Sequence, residues 1–351
     1  MIIRSKRKAD HIRIASRLED GPSTNGFEDI SLLNDSVPEL SLADIDLSCE
    51  FLSKNLTHPL IINAITGGTD EARRINRSLA ALTRKYGLAM AVGSQTLAIH
   101  EPSLRPTFSV VREENPDGVI LANVSALSPI DEALQAVEMV KADGLQLHFN
   151  VAQELAMPEG DRDFRGVLDN VARLVKESPV PVIAKEVGFG FSREAAEKLL
   201  TAGIQHFDIG GKGGTNFVAI EDQRQGLFAH EFDDWGIPTA VSLAELLTLE
   251  KHVHLTATGG IRTALDGVKA LAMGAHLIGM AGPLLKLLIN EGESALENYL
   301  QGFLYRLKAG VLLAGANSIE KLQQKPVIIS GKTAHWLSAR GIDINRWARR
   351  G

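Results

Sequence analysis

Six polar residues stand where short apolar runs come to an end: Thr66, Ser94, Asn123, Asn150, Lys185 and Thr258. Each closes, or nearly closes, a strand-sized stretch such as Pro59-Leu-Ile-Ile-Asn-Ala-Ile-Thr66 or Val180-Pro-Val-Ile-Ala-Lys-Glu-Val187. One polar residue at a strand end means little, because strand ends lead into loops. Six in succession point to a shared rim that could bind a polar ligand. Two glycine clusters narrow the ligand class. Thr258-Gly-Gly-Ile-Arg-Thr263 and Gly279-Met-Ala-Gly-Pro283 allow backbone N–H groups to converge on an anion, and Leu284 to Ile289 offers a short helix whose N-terminus faces the same point. Arg262 could add a bidentate contact. A single glycine turn is ordinarily just a turn; two, separated by a helical segment over Thr263 to Met273, describe a phosphate site.

These residues need elements to position them. From about residue 59 the chain alternates short apolar runs with longer amphipathic segments. The strands expected are Pro59–Thr66, Leu88–Ser94, Gly118–Val124, Gly144–Asn150, Val180–Val187, Gln205–Gly211, Val253–Thr258 and Ala275–Met280. The helices between them are expected at Asp70–Tyr86, Ser103–Glu114, Pro129–Ala142, Gly166–Glu177, Ser192–Gly203, Ser242–Glu250 and Thr263–Met273, with a long polar loop after Gly211. Ser192 is a good N-cap and Gly203 a good residue to follow a helix. Near-continuous apolar strands belong to a parallel sheet covered by helices. Right-handed crossovers then allow a closed barrel or an open doubly wound sheet. Eight repeats with no topological switch favour the α/β architecture of a (β/α)8 TIM barrel, with an N-terminal extension (1–58), the barrel itself (59–325) and a C-terminal tail (326–351). The extension is expected to supply a helix near Lys6 to Leu18 and a cap across one barrel mouth. In such a barrel the strand ends marked by those six polar residues form the rim where active sites are built.

Composition bounds the function classes. The chain has 351 residues, 37 Lys+Arg against 43 Asp+Glu, a formal charge of −6 and 23% charged residues. A mildly acidic chain without a basic block is poorly suited to nucleic acid. Its apolar runs are strand-sized, well short of the roughly 20 residues a bilayer span needs. The N-terminus lacks the apolar core of a signal peptide, and the single Cys49 makes no internal disulfide or cysteine metal cage. The expectation is a soluble cytoplasmic protein with no nucleic-acid or membrane partner.

The stretch Gly259-Gly-Ile-Arg262 with Ala270-Leu-Ala-Met-Gly-Ala-His-Leu-Ile-Gly-Met-Ala-Gly-Pro283 resembles the phosphate-binding half of FMN-dependent (β/α)8 barrels. Within that group, Arg7-Lys-Ala-Asp-His11, Asn63-Ala-Ile-Thr-Gly-Gly68 and Leu147-His-Phe-Asn-Val-Ala-Gln-Glu154 resemble the type 2 isopentenyl diphosphate isomerases, as do Val92-Gly-Ser-Gln95 and Gly210-Gly-Lys-Gly-Gly-Thr215. The likeness runs from Arg7 to Gly331. The rival is an FMN-dependent hydroxy-acid oxidoreductase, which needs a His and a neighbouring Arg after strand six; Asp208 to Asn216 contains neither. The inosine monophosphate dehydrogenases need a loop cysteine, and Cys49 precedes the first barrel strand.

The resemblance implies an isomerase that interconverts isopentenyl and dimethylallyl diphosphate by an allylic proton shift, with reduced FMN, Mg2+ and NADPH as the source of electrons. It implies FMN contacts from Ala64, Ile65, Thr66, Ser94, Asn123, Lys185, Thr215, Gly259, Gly260, Arg262, Ala281 and Gly282. Lys185 makes independent sense as a cation that favours an anionic reduced flavin. Its alternative, a buried ion pair with Glu186 or Asp208, is disfavoured because the end of strand five faces the cofactor. The resemblance gives the diphosphate to Arg7, Lys8 and His11, whose spacing of three and four residues places them on one helical face; without it they read as a solvated basic helix start. It gives Mg2+ to Glu154, and places Gln153 beside the substrate carbons, where an amide positions better than it transfers protons. His148 and Asn150 share one face of strand four and are read as orienting the diphosphate, His148 having a plain core role as its alternative. Gln153, His148 and Lys185 are the candidate catalytic group. A homo-oligomer, tetramer or octamer, follows from the resemblance; the apolar segment Val311 to Ala316 could serve such an interface or pack on the barrel.

Overall fold

The computed structural model describes Ile14 and residues 23–351 apart from Gly226 and Glu250. The helix expected near Lys6 to Leu18, with Arg7, Lys8 and His11, therefore lies outside the described residues, Ile14 excepted.

Eight parallel strands close into a barrel: β4 (Leu60–Ile62), β5 (Ala89–Ala91), β6 (Ile120–Ser125), β7 (Gly144–Phe149), β8 (Val182–Glu186), β9 (His206–Asp208), β10 (His254–Ala257) and β11 (Leu277–Met280), with β11 pairing back onto β4. Each strand lies within one residue of the run expected for it, and several are shorter. Past the end of β4 the Asn63 N–H still bonds the Met280 carbonyl at 2.8 Å, and the Asn63 side chain accepts the backbone N–H of Ala64. Apolar side chains from the strands and the surrounding helices merge into one large core.

The helices follow their capping residues. Thr69 caps Asp70–Tyr86 and Ser192 caps Arg193–Thr201, each side-chain oxygen accepting a backbone N–H three residues on. The helix expected from Ser242 runs instead over Thr239–Leu246, since Pro238 sets its start. Helices also fall where none is expected, among them Val151–Ala156 directly after β7 and Phe217–Gln225 inside the supposed polar loop.

The two ends of the described chain meet. β1 (Ile30–Leu32) pairs antiparallel with β12 (Val327–Ile329), and Trp347 is fully buried, its indole donating to the Met273 carbonyl at 2.9 Å. A hairpin of β2 (Cys49–Phe51) and β3 (Lys54–Leu56) closes the N-terminal mouth. Phe51 and Leu56 pack there on Ile61, Ala89, Leu121, Ile183 and Leu277, burial worth roughly 1.5–3 kcal/mol per large side chain. Val311, Ala314 and Ala316 are buried, so that segment packs against the body of the protein. Among the described residues no helix is long and apolar enough to cross a membrane.

Candidate active site

The opposite, C-terminal mouth holds a cavity of about 290 Å3 lined by the loops that leave the strands. Thr66, Ser94, Asn123, Asn150, Lys185 and Thr258, the six strand-end residues, all border it. So do Ala64, Ile65, His148, Gln153, Glu154, Thr215, Gly259, Gly260, Ala281 and Gly282.

One end of the cavity is built from backbone. Gly259 and Gly260 have φ of +100° and +76°, in the region that favours glycine. A Cβ on Gly259 would fall 2.0 Å from the Gly211 carbonyl oxygen, and one on Gly260 2.3 Å from that of Gly213. Ala281 then starts the helix Gly282–Glu291, whose first N–H groups carry the positive end of the helix dipole. Glycine turns and a helix start converging beyond two adjacent strands fit a phosphate group, and the adjoining polar and apolar wall fits a flat heteroaromatic ring. The site therefore suits FMN. Arg262 departs from expectation: it is not among the cavity-lining residues, and its guanidinium donates to the carbonyls of Gly213 and Gly260. Arg262 braces the glycine turns from behind.

The floor of the cavity is a polar network where barrels usually stack aliphatic side chains. Asp208, 1% exposed, is its hub. Its Oδ2 accepts from Asn63 Nδ2 (2.5 Å), Gln146 Nε2 (3.0 Å) and Lys185 Nζ (3.1 Å), and its Oδ1 accepts from the Thr258 hydroxyl. Lys185 thus borders the cavity and also makes the buried ion pair that its strand-end position argued against; the two are compatible because the ammonium has three protons. From Gln146 the network continues: its Oε1 accepts from Asn123 Nδ2 at 3.1 Å, and Asn123 Oδ1 lies 2.9 Å from His148 Nδ1. His148 is therefore not a plain core residue. It joins this network and borders the cavity.

The short helix after β7 groups the remaining candidates. Asn150 donates to Glu154 Oε1 at 2.8 Å and approaches Gln153 Oε1 at 3.4 Å. Glu154 Oε2 accepts the Asp161 N–H. Gln153 donates to Glu221 Oε1 at 3.3 Å, and Glu221, completely buried, is paired with Arg224. Glu154, at the cavity edge, suits a magnesium ion that takes one protein carboxylate and its other ligands from phosphate and water. On the facing side Glu186 accepts the N–H groups of Phe189 and Gly190. Burial nevertheless raises its carboxyl to about 8, against the lowering by those bonds and by Lys185, so it is largely protonated at neutral pH.

Reading the sequence missed Gln146, Glu186 as a lining residue, and Glu221. Gln146 had a signal, since it interrupts the apolar run Gly144–Leu147 two residues before His148, on the same face. Glu221 had none, because its helix was not expected. For the rival chemistry, Arg224 and His230, the Arg and His further along the loop after β9, are tied to Glu221 and Asp233. Among the described residues neither lines the cavity.

Comparison with known proteins adds the following. The family model described as FMN-dependent dehydrogenase matches residues 124–329. An isopentenyl-diphosphate delta-isomerase from Symbiobacterium thermophilum is 47% identical, covering 100% of this chain and 99% of its own. One of the same name from Moorella thermoacetica is 48% identical over 96% of this chain and 97% of its own. Among solved structures, a lactate oxidase from Pediococcus acidilactici superposes with a TM-score of 0.69 at 16% identity over 93% of each chain. A mandelate oxidase does so with a TM-score of 0.66 at 14% identity over 93% of this chain and 100% of its own. At those identities the oxidases speak for the fold alone.

Proposed function

Since the chain belongs to the isopentenyl-diphosphate delta-isomerases built on the FMN-dependent dehydrogenase barrel, we propose that it interconverts isopentenyl and dimethylallyl diphosphate by an allylic proton shift at the C-terminal mouth. One observation carries this reading: a glycine-built phosphate cradle, a polar floor and a carboxylate–amide cluster border a single cavity. The reading adds Mg2+, reduced FMN as the active form, NADPH as electron source, the cytoplasm, and a homo-oligomer, tetramer or octamer. It also divides the chain into an anchoring extension (1–58), barrel (59–325) and tail (326–351).

Gly259, Gly260, Ala281 and Gly282 would hold the FMN phosphate through backbone N–H groups, while Ala64, Ile65, Thr66, Ser94, Asn123, Lys185 and Thr215 would hold the ring. When bound, reduced FMN supplies an electron-rich surface against which positive charge on a five-carbon chain is less costly, together with exchangeable protons. Lys185 presents a cation balanced by Asp208, so its remaining ammonium protons can donate hydrogen bonds without leaving a net charge buried. Glu154 would hold Mg2+, and Asn150 keeps that carboxylate oriented. His148, Arg7, Lys8 and His11 would hold the diphosphate, and Gln153, braced by Glu221, would position the carbon skeleton. Glu186, kept protonated, adds no negative charge that would repel the diphosphate.

Incubation of the reduced, FMN-loaded protein with isopentenyl diphosphate and Mg2+ tests the reading. Dimethylallyl diphosphate is the expected product, and carrying out the reaction in deuterium oxide should place deuterium in it. No product from protein that demonstrably holds reduced flavin would remove the proposal. The hydroxy-acid rival predicts instead that a hydroxy acid bleaches oxidised flavin.

A further inference from the structure

The polar floor has a direction. Asn63 Oδ1 accepts the Ala64 backbone N–H at 2.8 Å, which fixes that amide and turns its nitrogen to Asp208. Gln146 Nε2 lies 3.1 Å from Asn63 Oδ1 and 3.0 Å from Asp208 Oδ2; two acceptors surround it, so this atom is the nitrogen of the amide. Gln146 Oε1 must then accept, and what faces it at 3.1 Å is Asn123 Nδ2. The oxygen of Asn123 is left for His148 Nδ1, 2.9 Å away. An amide oxygen has no proton to give, so Nδ1 carries one.

We propose that Asp208, acting through Gln146 and Asn123, is a positioning residue that holds His148 in the Nδ1–H tautomer and makes Nε2 the nitrogen at which the ring takes up or releases a proton. A carboxylate can only accept, and each amide in line transmits that constraint to the next: nitrogen toward the acceptor before it, oxygen toward the donor after it. Asp208 reaches His148 through two intervening side chains, without touching it. All the linking groups are buried, with Gln146 1% and Asn123 2% exposed, so water does not compete for the bonds and reverse the chain. The consequence for the substrate rests on the proposed function: a diphosphate oxygen meeting the ring at Nε2 would find a donor there only after the ring is protonated. The tautomer itself is a property of the protein and does not depend on that reading.

The test is nitrogen NMR of the protein labelled with 15N histidine, the His148 signals being assigned by their loss in His148→Gln. In the neutral ring, the expected spectrum has a pyrrole-type shift at Nδ1 and a pyridine-type shift at Nε2. The opposite pattern, or a tautomer average at both nitrogens, would overturn the proposal. Gln146→Leu cuts the relay while leaving Asp208 its contacts with Asn63, Thr258 and Lys185. In this variant the two His148 shifts should move toward each other, and in Gln146→Glu they should keep the wild-type pattern, because a carboxyl oxygen at 146 still accepts from Asn123 Nδ2 and leaves the Asn123 oxygen facing His148. Unchanged shifts in folded Gln146→Leu would show that the relay does not set the tautomer. Turnover plays no part in these readouts, so a failure of the proposed reaction and a failure of the relay remain distinguishable.

Discussion

At residue scale the site rests on a few positions where chemistry leaves no room for substitution. Gly260 is one: with φ at +76° and a Cβ that would meet the Gly213 oxygen at 2.3 Å, Gly260→Ala should force the two turns apart. The expected outcome is loss of flavin absorbance from the purified protein while far-ultraviolet circular dichroism stays barrel-like. Retained flavin would show that the cradle lies elsewhere. Arg7→Ala and Lys8→Ala should do the reverse, weakening diphosphate binding by at least about tenfold, as loss of a charge-assisted contact does, with the yellow colour kept. Glu186 gives a pH dependence. Its folded carboxyl titrates at about 8, above its unfolded value, so the protein keeps a proton that the unfolded chain has lost and its stability falls as pH rises from about 4.5 toward 8. Glu186→Gln should therefore gain stability over wild type on going from pH 5 to pH 9, on the order of 3 kcal/mol in denaturant titrations; an equal difference at both pH values would show that Glu186 titrates normally. Much of this residue set was readable beforehand, because strand-end polar residues and glycine turns are local features. The partners of Lys185 and His148 were less so: which of several buried polar groups meet depends on the shear of the closed barrel, and no single strand contains that information.

At element scale, the amphipathic helices between the strands were readable with or without a side-chain cap, and the short helices of the loops were not. Val151–Ala156 is only six residues long, and Phe217–Gln225, although Asn216 Oδ1 accepts the N–H groups of Val218 and Ala219 at its start, turns the polar Glu221 and Asp222 into the fold, so no apolar stripe announces it. The β2–β3 hairpin is another element that only the closed barrel explains. Its two turn residues, Leu52 and Ser53, have φ of +51° and +61°, the pairing a two-residue hairpin turn demands. Leu52 has a reason to be there, since it reaches toward Gly144 and the barrel floor. Ser53 is exposed and has none, so Ser53→Gly should stabilise the protein by up to about 1 kcal/mol, read as a raised Tm. Under that hairpin, β9, β10 and β11 begin at or beside His206, His254 and His276, whose rings stack at 4.9 Å and 4.5 Å. Burial pushes His206 and His276 down to about 4 and lowers His254 as well. The unfolded chain takes up protons below about pH 6.5 that the folded chain refuses, so stability should fall between pH 6.5 and 4, by up to about 3 kcal/mol for each of His206 and His276. His206→Phe keeps a ring against Phe51 and removes a buried Nδ1 that has no hydrogen-bond partner among the described residues. That variant should flatten the acid limb of a stability–pH curve; an unaltered limb would place the acid sensitivity elsewhere.

At the scale of the whole molecule the barrel has two ends with different work. The N-terminal mouth is sealed by an apolar hairpin, and the C-terminal mouth is left polar, with the cradle and floor described above. The β1–β12 pairing and the buried Trp347 tie the two ends of the described chain to the body of the barrel. The central claim is that this mouth holds FMN whose reduced form, beside isopentenyl diphosphate, serves an isomerisation without net redox change. The absorption spectrum of the purified protein with FMN tests it most directly, recorded before and after dithionite and again after isopentenyl diphosphate and Mg2+ are added without air. The account predicts tight uptake of FMN, full bleaching, a shift in the reduced-flavin band when the diphosphate is added, and no return of the oxidised spectrum while dimethylallyl diphosphate accumulates. A folded protein that takes up no FMN, or a bound reduced flavin whose spectrum ignores the diphosphate, would contradict it.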